Sequence, residues 1–206
     1  KADNVSGLLG ETGFREYMDQ QDTPLEKGYL LRIGIDHFKE INDNFGQEYG
    51  DFVLRKTADC ISGCLSEGQK VYKLVADEFL ILDVSSDKVR DAEKLYDKVR
   101  EAIDRFIEAN KFKVMYTVSG GIVPFGTLGG DQYSEALKLT DFALNEAKKL
   151  GRNRCYIFDR ETYRKFLRKR EITQELREAV LNGCQGFAAF YQPVFAEDKK
   201  VPYGAE

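Results

Sequence analysis

Apolar residues recur along the chain with two different periods, and the switches between them mark its elements. Residues 28–38 alternate, with Leu31, Ile33 and Ile35 on one face and Arg32, Gly34 and Asp36 on the other. That pattern predicts a half-buried strand with a polar site at its end. From 48 to 66 the spacing lengthens, and Phe52, Val53, Ile61, Cys64 and Leu65 fall at helical intervals. Residues 71–75 and 78–84 read as two short strands joined by Ala76-Asp77 in a tight hairpin. Val89, Ala92, Leu95, Tyr96, Val99, Ile103 and Phe106 trace an amphipathic helix. Residues 113–125 are extended, with Val114, Tyr116 and Val118 inward. Tyr133, Ala136, Leu137, Thr140, Leu144 and Ala147 predict another helix, closed by Gly151 as a C-terminal cap. Residues 154–158 make a last short strand.

Hairpins mixed with helical crossovers predict an α+β fold: a mixed, mainly antiparallel sheet with helices packed on it. A second unit is expected from Arg160. Tyr163, Leu167, Ile172, Leu176 and Val180 are spaced as a helix, a strand follows at 187–194, and 197–200 reads as a turn. The expected division is a domain over 1–159, a linker helix over 160–184, and the start of another domain over 185–206.

Charge and composition narrow the function. A net charge of -4 over 206 residues gives no reason to expect a nucleic acid polymer or an anionic membrane as partner. No run approaches the roughly 18 apolar residues of a membrane span. The opening KADNVSGLL lacks the basic and apolar regions of a signal peptide, and it starts on Lys1, as a piece of a longer cytoplasmic protein would. Four cysteines and a single histidine, His37, show no ligand spacing, so neither zinc nor a disulfide is expected, and no metal is needed for folding.

Five blocks carry the chemistry: IDHFKEIND (35–43), FGQEYGD (45–51), VADEF (75–79), VSGGIVPF (118–125) and FALNEAKKLGRNR (142–154). In order and spacing they resemble the GGDEF family of diguanylate cyclases, and DNVSGLLGETGF (3–14) resembles that family's opening segment. The family condenses two GTP molecules into cyclic di-GMP, each GTP held by one half of a dimer. The resemblance implies that Lys39, Lys148 and Arg152 hold phosphates, that Asn42 and Asp51 hydrogen-bond guanine, and that Phe38 packs beneath the nucleotide. Asp77 and Glu78 fall on the catalytic acidic pair, where Asp77 would bind the magnesium or manganese that accompanies GTP. Phosphoryl transfer explains these types: carboxylates hold the metal, and cations hold the phosphates. Each residue also has a plainer reading. Lys148 and Arg152 suit a helix C-terminus, Asn42 and Asp51 suit caps, and Phe38 suits the core.

Departures from the family pattern point away from turnover. Where the family places its first metal-binding aspartate, this chain has Gly34, leaving Asp36 as the other candidate ligand. The paired glycines of the signature are Val75 and Ala76, which are expected to fill space at the turn and to force a left-handed alanine. A customary tyrosine is Asn145, and the Arg-x-x-Asp of product inhibition is replaced by Ser-Glu-Gly-Gln at 66–69. On this reading Asp77 and Glu78 are vestigial.

FAAFYQPVFAEDKKVPYGAE (187–206) resembles the opening of an EAL domain, the phosphodiesterase that hydrolyses cyclic di-GMP, with Gln192 and Glu206 matching its motif positions. The leading expectation is a cyclic di-GMP signalling protein with an inactive GGDEF domain that binds GTP and regulates a downstream EAL domain. An active diguanylate cyclase and a dimerisation module that binds no nucleotide are the alternatives.

Overall fold

The computed structural model describes residues 2–111, 115–195 and 202–205. The chain divides into two compact units, Lys1–Asp159 and Arg160–Glu206.

In the first unit, α1 (Glu11–Asp19) leads to β1 (Tyr29–Ile35), then to α2 (Phe38–Phe45) and α3 (Gln47–Cys64). The hairpin of β2 (Gln69–Lys73) and β3 (Glu78–Asp83) precedes α4 (Val89–Ala109), β4 (Val118–Pro124), α5 (Gln132–Lys149) and β5 (Cys155–Ile157). The five strands form one sheet in the order β2-β3-β1-β4-β5, antiparallel except where β5 joins β4. This is the mixed, mainly antiparallel α+β architecture read from the sequence.

β1 lies at the centre and is buried on both faces, not half-buried as its alternation suggested. Tyr29, Leu31, Ile33 and Ile35 join the core formed with α3 and α4. The other face carries Leu30, Arg32 and Gly34 and meets α5. A Cβ at Gly121, in β4 opposite Arg32, would lie 2.3 Å from the backbone nitrogen of Leu144. Glycine there lets α5 lie directly on the sheet, and the C-terminal turn of α5 therefore reaches the end of β1.

Two other expectations change in detail. The β2–β3 connection is the four residues 74–77, not two. Leu74 N–H donates to Glu78 O, Glu78 N–H donates to Val75 O, and the buried Lys73 ammonium donates to the carbonyls of Leu74 and Ala76. β4 begins at Val118, with Tyr116 and Val118 buried as expected, and Val114 lies outside the described residues.

The second unit contains α6 (Arg160–Leu181) and a two-stranded ladder of β6 (Pro193–Phe195) and β7 (Pro202–Ala205). The expected strand over 187–194 is not formed: pairing starts only at Pro193, and the apolar alternation before it has no partner strand among the described residues. The turn expected at 197–200 and Glu206 lie outside the described residues.

Candidate functional site

β1 ends against a buried carboxylate. Asp36 is 2% exposed; its Oδ1 accepts from Ser119 Oγ at 2.7 Å, and its Oδ2 accepts from Thr117 Oγ1 at 2.7 Å and Asn153 N–H at 3.1 Å. Burying an ion is costly unless its oxygens are met in this way. Asp36 thus ties the start of β4 and the loop after α5 to the end of β1. Proposed from sequence as a metal ligand, it has both oxygens committed to protein donors. The loop it holds runs through three residues of positive φ, Gly151, Arg152 and Asn153, and leaves Arg152 exposed.

His37, with a left-handed φ of 56°, turns the chain into α2. Phe38 packs partly buried against the core, and Lys39 is exposed. Asn42 Oδ1 is buried and has no hydrogen-bond partner among the described residues. A Cβ at Gly50 would lie 1.8 Å from that oxygen and 3.3 Å from Phe38 Cζ. Glycine at 50 is what admits the Asn42 amide, and it brings the half-buried Asp51 next to it in the chain. The structure therefore gathers Phe38, Asn42 and Gly50 at one place, with Asp51 the next residue along α3.

At the hairpin, Ala76 adopts the left-handed conformation anticipated from its sequence, with φ 55°, at a cost of about 1 kcal/mol. Val75 is 73% exposed, so it fills no enclosed space, contrary to expectation. Asp77 is half-buried, and burial pushes its carboxyl above the usual range, with Lys148 pulling partly the other way. Glu78 is attended on both sides. Its Oε2 receives Arg32 Nε at 2.7 Å and Nη2 at 2.5 Å, and its Oε1 lies 3.9 Å from Lys148 Nζ. Arg32 also donates to Leu137 O at 3.1 Å and approaches Asp141 at 3.6 Å. A Cβ at Gly34 would stand 3.3 Å from Lys148 Nζ, so the ammonium already sits over that glycine.

The residues present do not fit the divalent ion implied by the motif. Position 34 has no carboxylate, Asp36 is engaged, Glu78 is held by two cations, and only Asp77 remains. No cluster of three or more His, Cys, Asp or Glu suited to a metal occurs among the described residues. A cavity of about 600 Å³ opens beside Asp36 and His37, and its walls also carry Glu40, Asp104 and Glu108, which would repel a polyphosphate. Sequence reading missed the pairing of Arg32 with Glu78 and the role of Lys73 under the hairpin. The available signal for Arg32 was one charge inside the apolar run YLLRIGI.

The family described as "Diguanylate cyclase, GGDEF domain" matches residues 1–154. The chain belongs to the GGDEF domain family. It is thus a GGDEF domain of cyclic di-GMP signalling. The cyclic di-GMP phosphodiesterase NbdA of Pseudomonas aeruginosa is 29% identical over 199 residues, which cover 94% of this chain and 25% of NbdA. The diguanylate cyclase VdcA of Vibrio cholerae is 29% identical over 156 residues, covering 74% of this chain and 45% of VdcA. The chain therefore spans less than half the length of either relative. The GGDEF domain of PA1120 from Pseudomonas aeruginosa shares the fold, with a TM-score of 0.68 at 24% identity over 81% of this chain and 99% of that one. Among the described residues, no helix of this GGDEF protein is long and apolar enough to cross a membrane.

Proposed function

We propose that this GGDEF domain binds GTP without converting it and uses the bound state to regulate a downstream EAL phosphodiesterase domain. The observation that carries the reading is the occupied metal edge: Glu78 is clasped by Arg32, and Lys148 stands over Gly34. With those groups committed, Asp77 alone is left to hold an ion against a triphosphate, one carboxylate does not suffice, and the family's condensation stops at binding. Asp77 and Glu78 are remnants of the catalytic pair.

Retained binding rests on the other residues. The Asn42 oxygen and the Asp51 carboxylate are acceptors suited to the N–H edge of guanine. Lys39, Arg152 and Lys148 supply cations for phosphates, and Phe38 supplies an apolar floor. The match to a phosphodiesterase extends over 199 residues, beyond the first unit, which supports reading 160–184 as a linker and 185–206 as the start of an EAL domain. A cytoplasmic homodimer suits that arrangement.

Calorimetry with GTP, with and without magnesium, paired with a product assay in magnesium and in manganese, tests the reading. GTP should bind and no cyclic di-GMP should form. Clear product from the purified chain would overturn it, and a complete lack of GTP binding would leave the dimerisation module in its place.

A further inference from the structure

We propose that Arg32 takes the electrostatic place of a divalent cation at this edge, making the site a metal-independent receptor for a nucleotide polyphosphate. The position is unusual for such a residue. Arg32 stands on the central strand, in a face otherwise made of Leu30 and Gly34 and covered by α5, with its side chain 12% exposed. A guanidinium so placed persists only if its charge is answered there. It is answered chiefly by Glu78, through two nitrogens on one carboxylate oxygen, and then by Leu137 O and Asp141.

The arrangement follows from the residues at 32, 34 and 148 together. Removing the carboxylate at 34 leaves room that Lys148 takes, its Nζ and Cε lying 3.3 Å and 3.5 Å from the position of the missing Cβ. Glu78 then has a cation against each oxygen. An incoming divalent ion would have to displace Arg32 from Oε2 and face the Lys148 ammonium at the same time. An incoming polyphosphate meets the reverse situation: the Glu78 carboxylate is already neutralised, and Lys148, which also draws on Asp77, lies 3.9 Å from Glu78 and can turn from it toward phosphate. Arg32 is a positioning residue here, since it acts through Glu78.

The nucleotide half of the proposal rests on the function proposed above; the metal half does not, and the experiment separates them. Manganese alone is titrated into the 206-residue chain and followed by water-proton relaxation. The unaltered protein should show no saturable site, Gly34→Asp should bind only weakly, and Arg32→Leu/Gly34→Asp should bind about 100-fold more tightly than Gly34→Asp. Arg32→Lys/Gly34→Asp keeps the positive charge and should stay metal-poor. Manganese bound by the unaltered protein as tightly as by Arg32→Leu/Gly34→Asp, or no gain on removing Arg32 from a folded variant, overturns the proposal. If the leucine variant fails to fold, the other two variants decide, because tight manganese binding in either one overturns it. In the second arm, GTP affinity of the unaltered protein should agree within about twofold between chelator and magnesium. Binding that requires magnesium overturns the role of Arg32 while leaving a working guanine site. No GTP binding under either condition overturns the nucleotide receptor and the proposed function together, and the manganese series still decides whether Arg32 excludes the metal.

Discussion

At one end of the site Asn42 keeps a buried oxygen without a partner, while at the other Glu78 has a cation against each of its oxygens. An unmatched buried acceptor costs about 1–3 kcal/mol, and a fold tolerates it where something else repays the cost. A carboxylate already matched by protein cations has nothing to gain from a ligand of the same sign as those cations. The two ends therefore differ in what is left unmatched: the α2–α3 end keeps a buried acceptor without a donor, and the hairpin end keeps no oxygen of Glu78 without a cation.

The comparison breaks most readily at Asp36, which anchors both ends through β1, β4 and the loop that carries Arg152. Asp36→Ala leaves Thr117, Ser119 and the Asn153 amide without their acceptor. The expected loss is about 3–5 kcal/mol, which lowers the melting temperature by roughly 6–20 °C. Thermal unfolding checks it; a change within experimental error would mean that those three donors find other partners easily.

Asn42→Ala should separate the ends more sharply. GTP affinity should fall by about 5- to 150-fold, corresponding to about 1–3 kcal/mol, while thermal stability without nucleotide stays level or rises, because an unmatched buried oxygen is gone. Calorimetry and melting on the same preparation read both quantities. A parallel loss of affinity and stability would make Asn42 a structural residue and remove the contrast.

Ala76→Gly acts at the hairpin end alone. It relieves the left-handed alanine, with φ 55°, and should raise stability by about 1 kcal/mol, or roughly 2–4 °C in melting temperature. It should not restore product formation, because Arg32 and Lys148 still attend Glu78. Cyclic di-GMP made by this variant would show that turn strain, rather than the occupied carboxylate, had silenced the site.

Much of this was legible in the sequence because it is local. The sheet and its helices follow from periodicity, and the left-handed alanine follows from comparing VADEF with a glycine-bearing turn. What was not legible depends on residues far apart in the chain. Arg32 and Glu78 are 46 positions apart, and Asp36 meets Asn153 across 117. Alternation placed Arg32, Gly34 and Asp36 on one face correctly but carried no information that α5 covers that face, so β1 was read as half-buried. The same limit explains residues 187–194: alternation there is sound, yet a strand needs a partner, and pairing begins only at Pro193.

β3 offers the smallest and cleanest test of the distinction between cation-matched and donor-matched carboxylates, because it begins at Glu78 and ends at Asp83. Asp83 is 1% exposed, with Ser85 N–H and Oγ on one oxygen and Gln69 Nε2 on the other, all within 2.6–2.7 Å. Burial alone would raise its pKa, but the hydrogen bonds from Ser85 and Gln69 prevail and hold it below the ordinary value of 3.8. A lowered folded-state pKa means that the unfolded chain binds more protons in the window between the two values. The stabilisation is therefore complete above the ordinary carboxylate range and is lost as pH falls through the folded-state value. Asp83→Asn should narrow the stability gap to the unaltered protein on acidification from about pH 5 to about pH 3, and leave that gap constant from about pH 5 to about pH 7. Urea unfolding across that range measures it. A gap that widens on acidification would mean that Asp83 is held in its protonated form, and neutral donors would then not suffice to keep a buried carboxylate charged in this sheet.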